Sequence, residues 1–184
     1  MVKKDKSYTK NLTLVSVMTA VLCIISPFAI HTVFSPVPIT FCTLGIYLSV
    51  FILGMKRGTL SCLLYILLGL VGLPVFSDFS GGAGKLFGPT GGYFIGYVLL
   101  CLIAGAFIDR CSNKWYIVLF GMISGTVVCY LFGTLWLAYQ MQINFLSATA
   151  IGVLPYIPAD LVKMVMALLI GMPVRKALIK AHLL

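Results

Sequence analysis

Residues 156–172, YIPADLVKMVMALLIGM, form an apolar run long enough to be most of a membrane-spanning helix, yet the run carries Asp160 and Lys163 three positions apart. On insertion scales a charge at the centre of such a helix costs about 2.5–3.5 kcal/mol, and less near an end. Pro158 stands just before the pair, and proline suits the first turn of a helix, where its missing N–H would have had no partner. Asp160 therefore falls near the positive end of the helix, and the i, i+3 spacing puts Lys163 on the same face. A cation in that position gains from a further anion, so a carboxylate-bearing ligand would complete the constellation. The plainer alternative is an aspartate that caps the helix and pairs with its neighbour for structural reasons.

The rest of the chain makes the membrane setting unavoidable. Of its 184 residues 61% are hydrophobic and 9% charged, against about 25% charged in an ordinary soluble domain, and the mean hydropathy is +1.10. A span needs about 20 mostly apolar residues, which leaves room for six spans in one integral membrane domain over 1–184 and none for a separate soluble domain. Apolar runs place the spans near 12–30, 41–54, 59–73, 91–108, 116–139 and 159–179. Between the second and third lies only the turn GMKRG, residues 54–58, so one long re-entrant hairpin is an alternative. The basic start, MVKKDKSYTKN, resembles a signal-peptide flank, but no small-residue cleavage site follows, which predicts a retained first span.

Lys and Arg near span ends favour the cytoplasmic side. Eleven of the thirteen basic residues fall before span one, between spans two and three, between four and five, and at the end, so six spans put both termini in the cytoplasm. The net charge of +9 then reads as a topology signal with attraction to anionic lipid, not as a nucleic-acid footprint. Trp115 and Tyr116 read as interfacial anchors at the inner edge of span five, and His31 as an interfacial polar residue.

The outer connections are poor in charge and rich in proline. One of them packs Gly81, Gly82, Gly84, Gly88, Gly91 and Gly92 among Phe76, Phe79, Phe87 and Tyr93, which predicts a loop folded over a small ligand. Its GGAGKLFG is not a phosphate loop, because Phe79 stands where the first glycine belongs and Leu86 where Ser or Thr must follow Lys85. Any ATP-driven step needs another chain. Asp78 and Lys85 read as solvated loop charges, and Trp136 either walls a pocket or anchors at the outer interface. The six cysteines are scattered singly, which argues against a metal site. With two histidines and no glutamate, there is little material for acid–base catalysis, so no enzyme is expected. Ser16 and Ala20 form a small-x-x-x-small pair, as do Gly92/Gly96 and Gly121/Gly125, and such pairs let helices approach closely.

The ordered set PVPITF (36–41), GLPVF (72–76), GPTGGY (88–93) and LPYIPADLVK (154–163) resembles the BioY family, the biotin-specific S components of energy-coupling-factor (ECF) transporters, from about residue 16 to 175. The resemblance implies a six-helix S-component bundle in the cell membrane that binds biotin at its outer side. It implies partners as well: a transmembrane ECF coupling subunit and two ABC-type ATPase subunits that consume ATP, while this chain holds no cofactor itself. Asp160 and Lys163 match the family's P-G-D-x-x-K segment, the Asp expected to accept from the ureido ring and the Lys to contact the valerate end. Ser80, with Phe79 and Gly82, sits in the outer substrate loop, and Tyr93 closes the G-P-T-G-G-Y motif. Ser16 and Ala20 match the small-residue helix that packs on the coupling subunit. Cys42 stands where Gln commonly follows the P-V-P segment, Asp78-Phe79 replace two small residues, and Ala159 replaces the usual Gly. The alternative from another class is an autonomous secondary carrier for biotin or another small carboxylate, with Asp160 as a proton-coupled site.

Overall fold

Apolar runs of this length close their backbone hydrogen bonds internally as helices, since hydrocarbon offers no partners. The computed structural model describes residues 2–30, 37–111 and 114–184; His31 lies outside these. Among the described residues there are seven α-helices, α1 Val2–Ile25, α2 Cys42–Leu70, α3 Ala83–Leu86, α4 Gly91–Cys111, α5 Trp115–Met141, α6 Phe145–Gly152 and α7 Ile157–Lys180, with one antiparallel pair of two-residue strands, β1 Ala29–Ile30 and β2 Ile39–Thr40. Five of the helices, all but the short α3 and α6, are long and apolar enough to cross a membrane.

Helix α2 is not a straight rod. Gly54 inside it has φ 81° and ψ −177°, a conformation open essentially to glycine alone. Beyond it the chain returns along itself. The Cys42 thiol lies 3.5 Å from the Tyr65 hydroxyl and Ser49 Oγ donates to the Gly58 carbonyl at 3.4 Å, although Cys42 and Tyr65 would be about 34 Å apart in a straight helix. The two contacts share one centre, between Leu53 and Gly54, so 42–53 and 55–70 are antiparallel limbs. The expected five-residue turn over 54–58 is thus a single residue, and the second limb starts at Met55.

A reversal this tight strips helical partners from the backbone around it, and side chains from two other helices replace them. Arg175 of α7 donates from Nη1 to the carbonyls of Phe51 at 2.7 Å and Ile52 at 3.4 Å, and the Met55 N–H donates to Asp109 Oδ2 of α4 at 3.0 Å. Arg175 and Asp109 are themselves 3.8 Å apart. At the same end of the bundle Lys10 of α1 donates to the His182 carbonyl, which brings the start of α1 beside the end of the chain.

Helices α4 and α5 meet through the glycines of the two spaced pairs. A Cβ on Gly96 would lie 2.8 Å from Cys129 Cα, and one on Gly92 would lie 2.3 Å from Trp136 Cβ. The core between the limbs of α2, α4 and α5 is aromatic and aliphatic, with Tyr47, Tyr65, Phe51, Phe76, Leu100 and Met122 fully buried. Ser16 and Ala20 lie on the opposite, exposed face of α1, beside Leu12, Val17 and Ile24.

Candidate functional site

The short α6 and the turn after it deliver the chain to Tyr156, from which α7 starts with Pro158 in its first turn and Asp160 close behind. Asp160 and Lys163 are 4% and 7% exposed, and Lys163 Nζ lies 2.8 Å from Asp160 Oδ1. Two residues that the sequence pattern does not single out join them. Thr43, in the first turn of α2, donates to Asp160 Oδ1 at 3.0 Å and accepts from Lys163 Nζ at 2.9 Å. Tyr130 of α5 donates to Asp160 Oδ2 at 2.6 Å. The carboxylate therefore ties α2, α5 and α7 together at one point.

These groups face a cavity whose walls carry Tyr65, Tyr93, Phe94, Tyr97 and Tyr156; binding clefts commonly pair apolar walls with a few placed polar groups. Val37, Pro38, Ser77 and Thr90 come to it from the connections. Tyr93 and Tyr156 are held in place by hydroxyl donation to the carbonyls of Gly152, at 2.8 Å, and Val37. Cys42 lines the same cavity, 3% exposed.

Three of the seven residues expected to face substrate, Asp160, Lys163 and Tyr93, border this space. Four do not, and each has a different engagement. Trp136 donates from Nε1 to the Gly88 carbonyl at 2.9 Å and so pins the glycine loop to α5. Ser80 Oγ donates to the Ser77 carbonyl at 2.6 Å, and the Gly82 N–H to the Gly69 carbonyl at 2.7 Å. Phe79 is 62% exposed and packs edge-on against Phe28 with ring centroids 5.7 Å apart. Those residues shape the loop, while Ser77 and Thr90 are its members at the cavity. The missed pair was partly legible: Thr43 stands two residues beyond the P-V-P-I-T-F segment, and Tyr130 is a polar-tipped residue in mid-span.

Hydrogen-bonding capacity describes what the site can receive. Lys163 has three N–H donors, of which Asp160 and Thr43 take two. Asp160 has about four acceptor positions, of which Thr43, Lys163 and Tyr130 fill three. The pair is neutral in sum, with one donor and one acceptor unspent among the described residues.

The family model described as the BioY family matches residues 1–180. A biotin transporter BioY from Thermotoga maritima is 37% identical over 142 residues, covering 77% of this chain and 82% of the relative. A probable biotin transporter BioY from Pyrococcus horikoshii is 37% identical over 162 residues, covering 88% and 94%. Among solved structures, the S-component for biotin from an ECF-type ABC transporter superposes with a TM-score of 0.86 at 31% identity, covering 93% of each chain. These relatives are transporters and not enzymes. With a match over nearly its whole length and the same helical frame, the chain belongs to the BioY family.

Proposed function

We propose that this chain is the membrane subunit that binds biotin for uptake, holding the ureido end of the vitamin at Asp160 and Lys163. The observation that carries the reading is the unspent pair lining the cavity, one Lys163 donor beside one Asp160 acceptor. A ureido group offers a carbonyl flanked by N–H, which matches that pair without adding charge. A carboxylate there would meet Asp160 as well as Lys163, and Lys163 already has its counter-ion at 2.8 Å. The expected division, Asp160 to the ring and Lys163 to the valerate end, therefore gives way to both residues on one end. The valerate then extends along the aromatic walls towards Ser77 and Thr90.

The fold supports six crossings with both termini in the cytoplasm. Gly54, Asp109, Arg175, Lys10 and His182 gather at one end of the bundle, and the basic residues cluster at that end, as cytoplasmic ends do. Thr43, Tyr130 and Asp160 then belong to the outer half, where a vitamin arrives. Delivery inward rests on an ECF coupling subunit and two ABC-type ATPases in the cell membrane, with the exposed Ser16/Ala20 face of α1 as the docking surface. Release requires a second conformation with weaker contacts, since differential affinity is all a partner can exploit.

Biotin binding to the purified full chain, with Asp160→Asn and Lys163→Ala beside it, tests the proposal. Saturable binding by the parent and loss in both variants are expected. Absence of binding in the parent refutes the function, and unchanged tight binding in both variants refutes the site.

A further inference from the structure

A second concavity lies on the other side of the Tyr130–Asp160 hydrogen bond. It is a groove between α5 and α7, bordered at one end by α6, and Tyr130 and Asp160 border both it and the central cavity. Its rims are aliphatic and aromatic, with Val127 60%, Phe145 48% and Leu161 46% exposed. Along α5 it runs from Ile123 to Thr134, about 16 Å at 1.5 Å per residue, close to the depth of one leaflet of a hydrocarbon core about 30 Å thick.

The polar groups of the groove are nearly all spent on the protein. Thr126 Oγ1 bonds the Met122 carbonyl at 2.8 Å and the Tyr47 hydroxyl at 2.7 Å, Thr149 Oγ1 bonds the Phe145 carbonyl at 2.8 Å, and Tyr130 bonds Asp160. Among the described residues lining the groove, the Thr134 hydroxyl, in a side chain 1% exposed, is the one without such a bond. An occupant with no hydrogen bonds to offer therefore costs the groove almost nothing, whereas a polar occupant would lose its own hydration without replacement. Both bounding helices are long and apolar enough to cross a membrane, so hydrocarbon is the medium at the groove's mouth.

We infer that this groove is a resident site for one acyl chain of an outer-leaflet phospholipid, seated against the outer side of the Tyr130–Asp160 bond. A chain lodged there keeps water from the back of that bond, and a drier bond is a stronger one. The site stands independently of what the central cavity binds.

The test reconstitutes the full chain in phosphatidylcholine nanodiscs with a benzophenone amino acid at Val127 or at Leu161, and at Phe120, an exposed position outside the groove. After irradiation, mass spectrometry reads the adduct. The expected result is a phospholipid adduct at both groove positions that survives an extended detergent exchange made before irradiation, with the Phe120 adduct lost by that exchange. Native mass spectrometry should find about one phospholipid retained by the parent and none by Val127→Trp or Leu161→Trp, two variants that fill the groove from opposite rims. Retention equal in parent and both variants, equal loss at all three positions, or an adduct to a second copy of the chain overturns the inference.

Discussion

Substituting the buried pair one residue at a time and then together separates a mutually dependent site from two independent charges. Removing one partner of a buried ion pair costs about 3–5 kcal/mol, because the survivor is left uncompensated, while removing both costs far less than the sum. The structure also orders the two single variants. After Lys163→Met the Asp160 carboxylate keeps the hydroxyl donors of Thr43 at 3.0 Å and Tyr130 at 2.6 Å. After Asp160→Asn the Lys163 ammonium keeps only neutral acceptors, the Thr43 oxygen at 2.9 Å and the new amide. Asp160→Asn should therefore be the more damaging change, and the double variant should recover at least about 2 kcal/mol relative to additivity. The assay is the fraction of protein remaining monodisperse in detergent after heating, measured without ligand so that lost binding does not enter. Additive losses, or a Lys163→Met variant less stable than Asp160→Asn, would refute the network as described.

Thr43 both donates to Asp160 and accepts from Lys163, so Thr43→Val should weaken biotin binding roughly tenfold or more, the worth of a hydrogen bond to a charged group, while Thr43→Ser retains it; isothermal titration distinguishes them, and equal affinities for Val and Ser would remove Thr43 from the site. Gly54→Ala forces a side chain into φ 81° and sets its Cβ 2.3 Å from Asp109 Oδ1, which should cost at least about 1 kcal/mol and lower the temperature of aggregation; an unchanged value would mean the hairpin tip is not as described. Ser16→Trp enlarges an exposed position of α1, so biotin binding by the isolated chain should stay the same while uptake in proteoliposomes with coupling and ATPase subunits falls severalfold; normal uptake would move the docking surface elsewhere.

Much of the frame was readable because hydrophobic patterning is a local signal, and the helices α4, α5 and α7 begin and end within three residues of the apolar runs read from the sequence. Helix α2 resisted for a physical reason. Its limbs over 42–53 and 55–70 are each shorter than the stretch of about 20 residues that marks a span, so hydropathy leaves two short spans and one re-entrant hairpin as alternatives, and the single glycine conformation that reverses the chain carries no hydropathy signal. The bonds that prove the reversal come from Asp109 and Arg175, more than fifty residues away, and no window on the sequence contains both ends. The site divides in the same way. Asp160 and Lys163 announce themselves because charge in an apolar run is costly, whereas Thr43 and Tyr130 cost little where they stand and gain meaning only when three helices converge. Trp136 shows the converse: a conspicuous residue beside the right loop whose single donor is taken by Gly88.

The two polar clusters also constrain how the subunit can move. The first limb of α2 and α7 run parallel, joined at one end through Thr43 with Asp160 and Lys163, and at the other through the carbonyls of Phe51 and Ile52 with Arg175. Between those joints Gly171 admits the Phe51 ring so closely that a Cβ there would lie 2.5 Å from it, which leaves little room for sliding. By contrast, α5 meets α7 chiefly across the groove, with the Tyr130–Asp160 bond as its polar link. A conformational change that weakens the ligand's hold should therefore keep α2 and α7 together as one body and part them from α5. A cross-link between α7 and the first limb of α2 should then leave uptake by the full complex intact, whereas one across the groove between α5 and α7 should stop it while biotin still binds; the opposite pattern would place the hinge between α2 and α7.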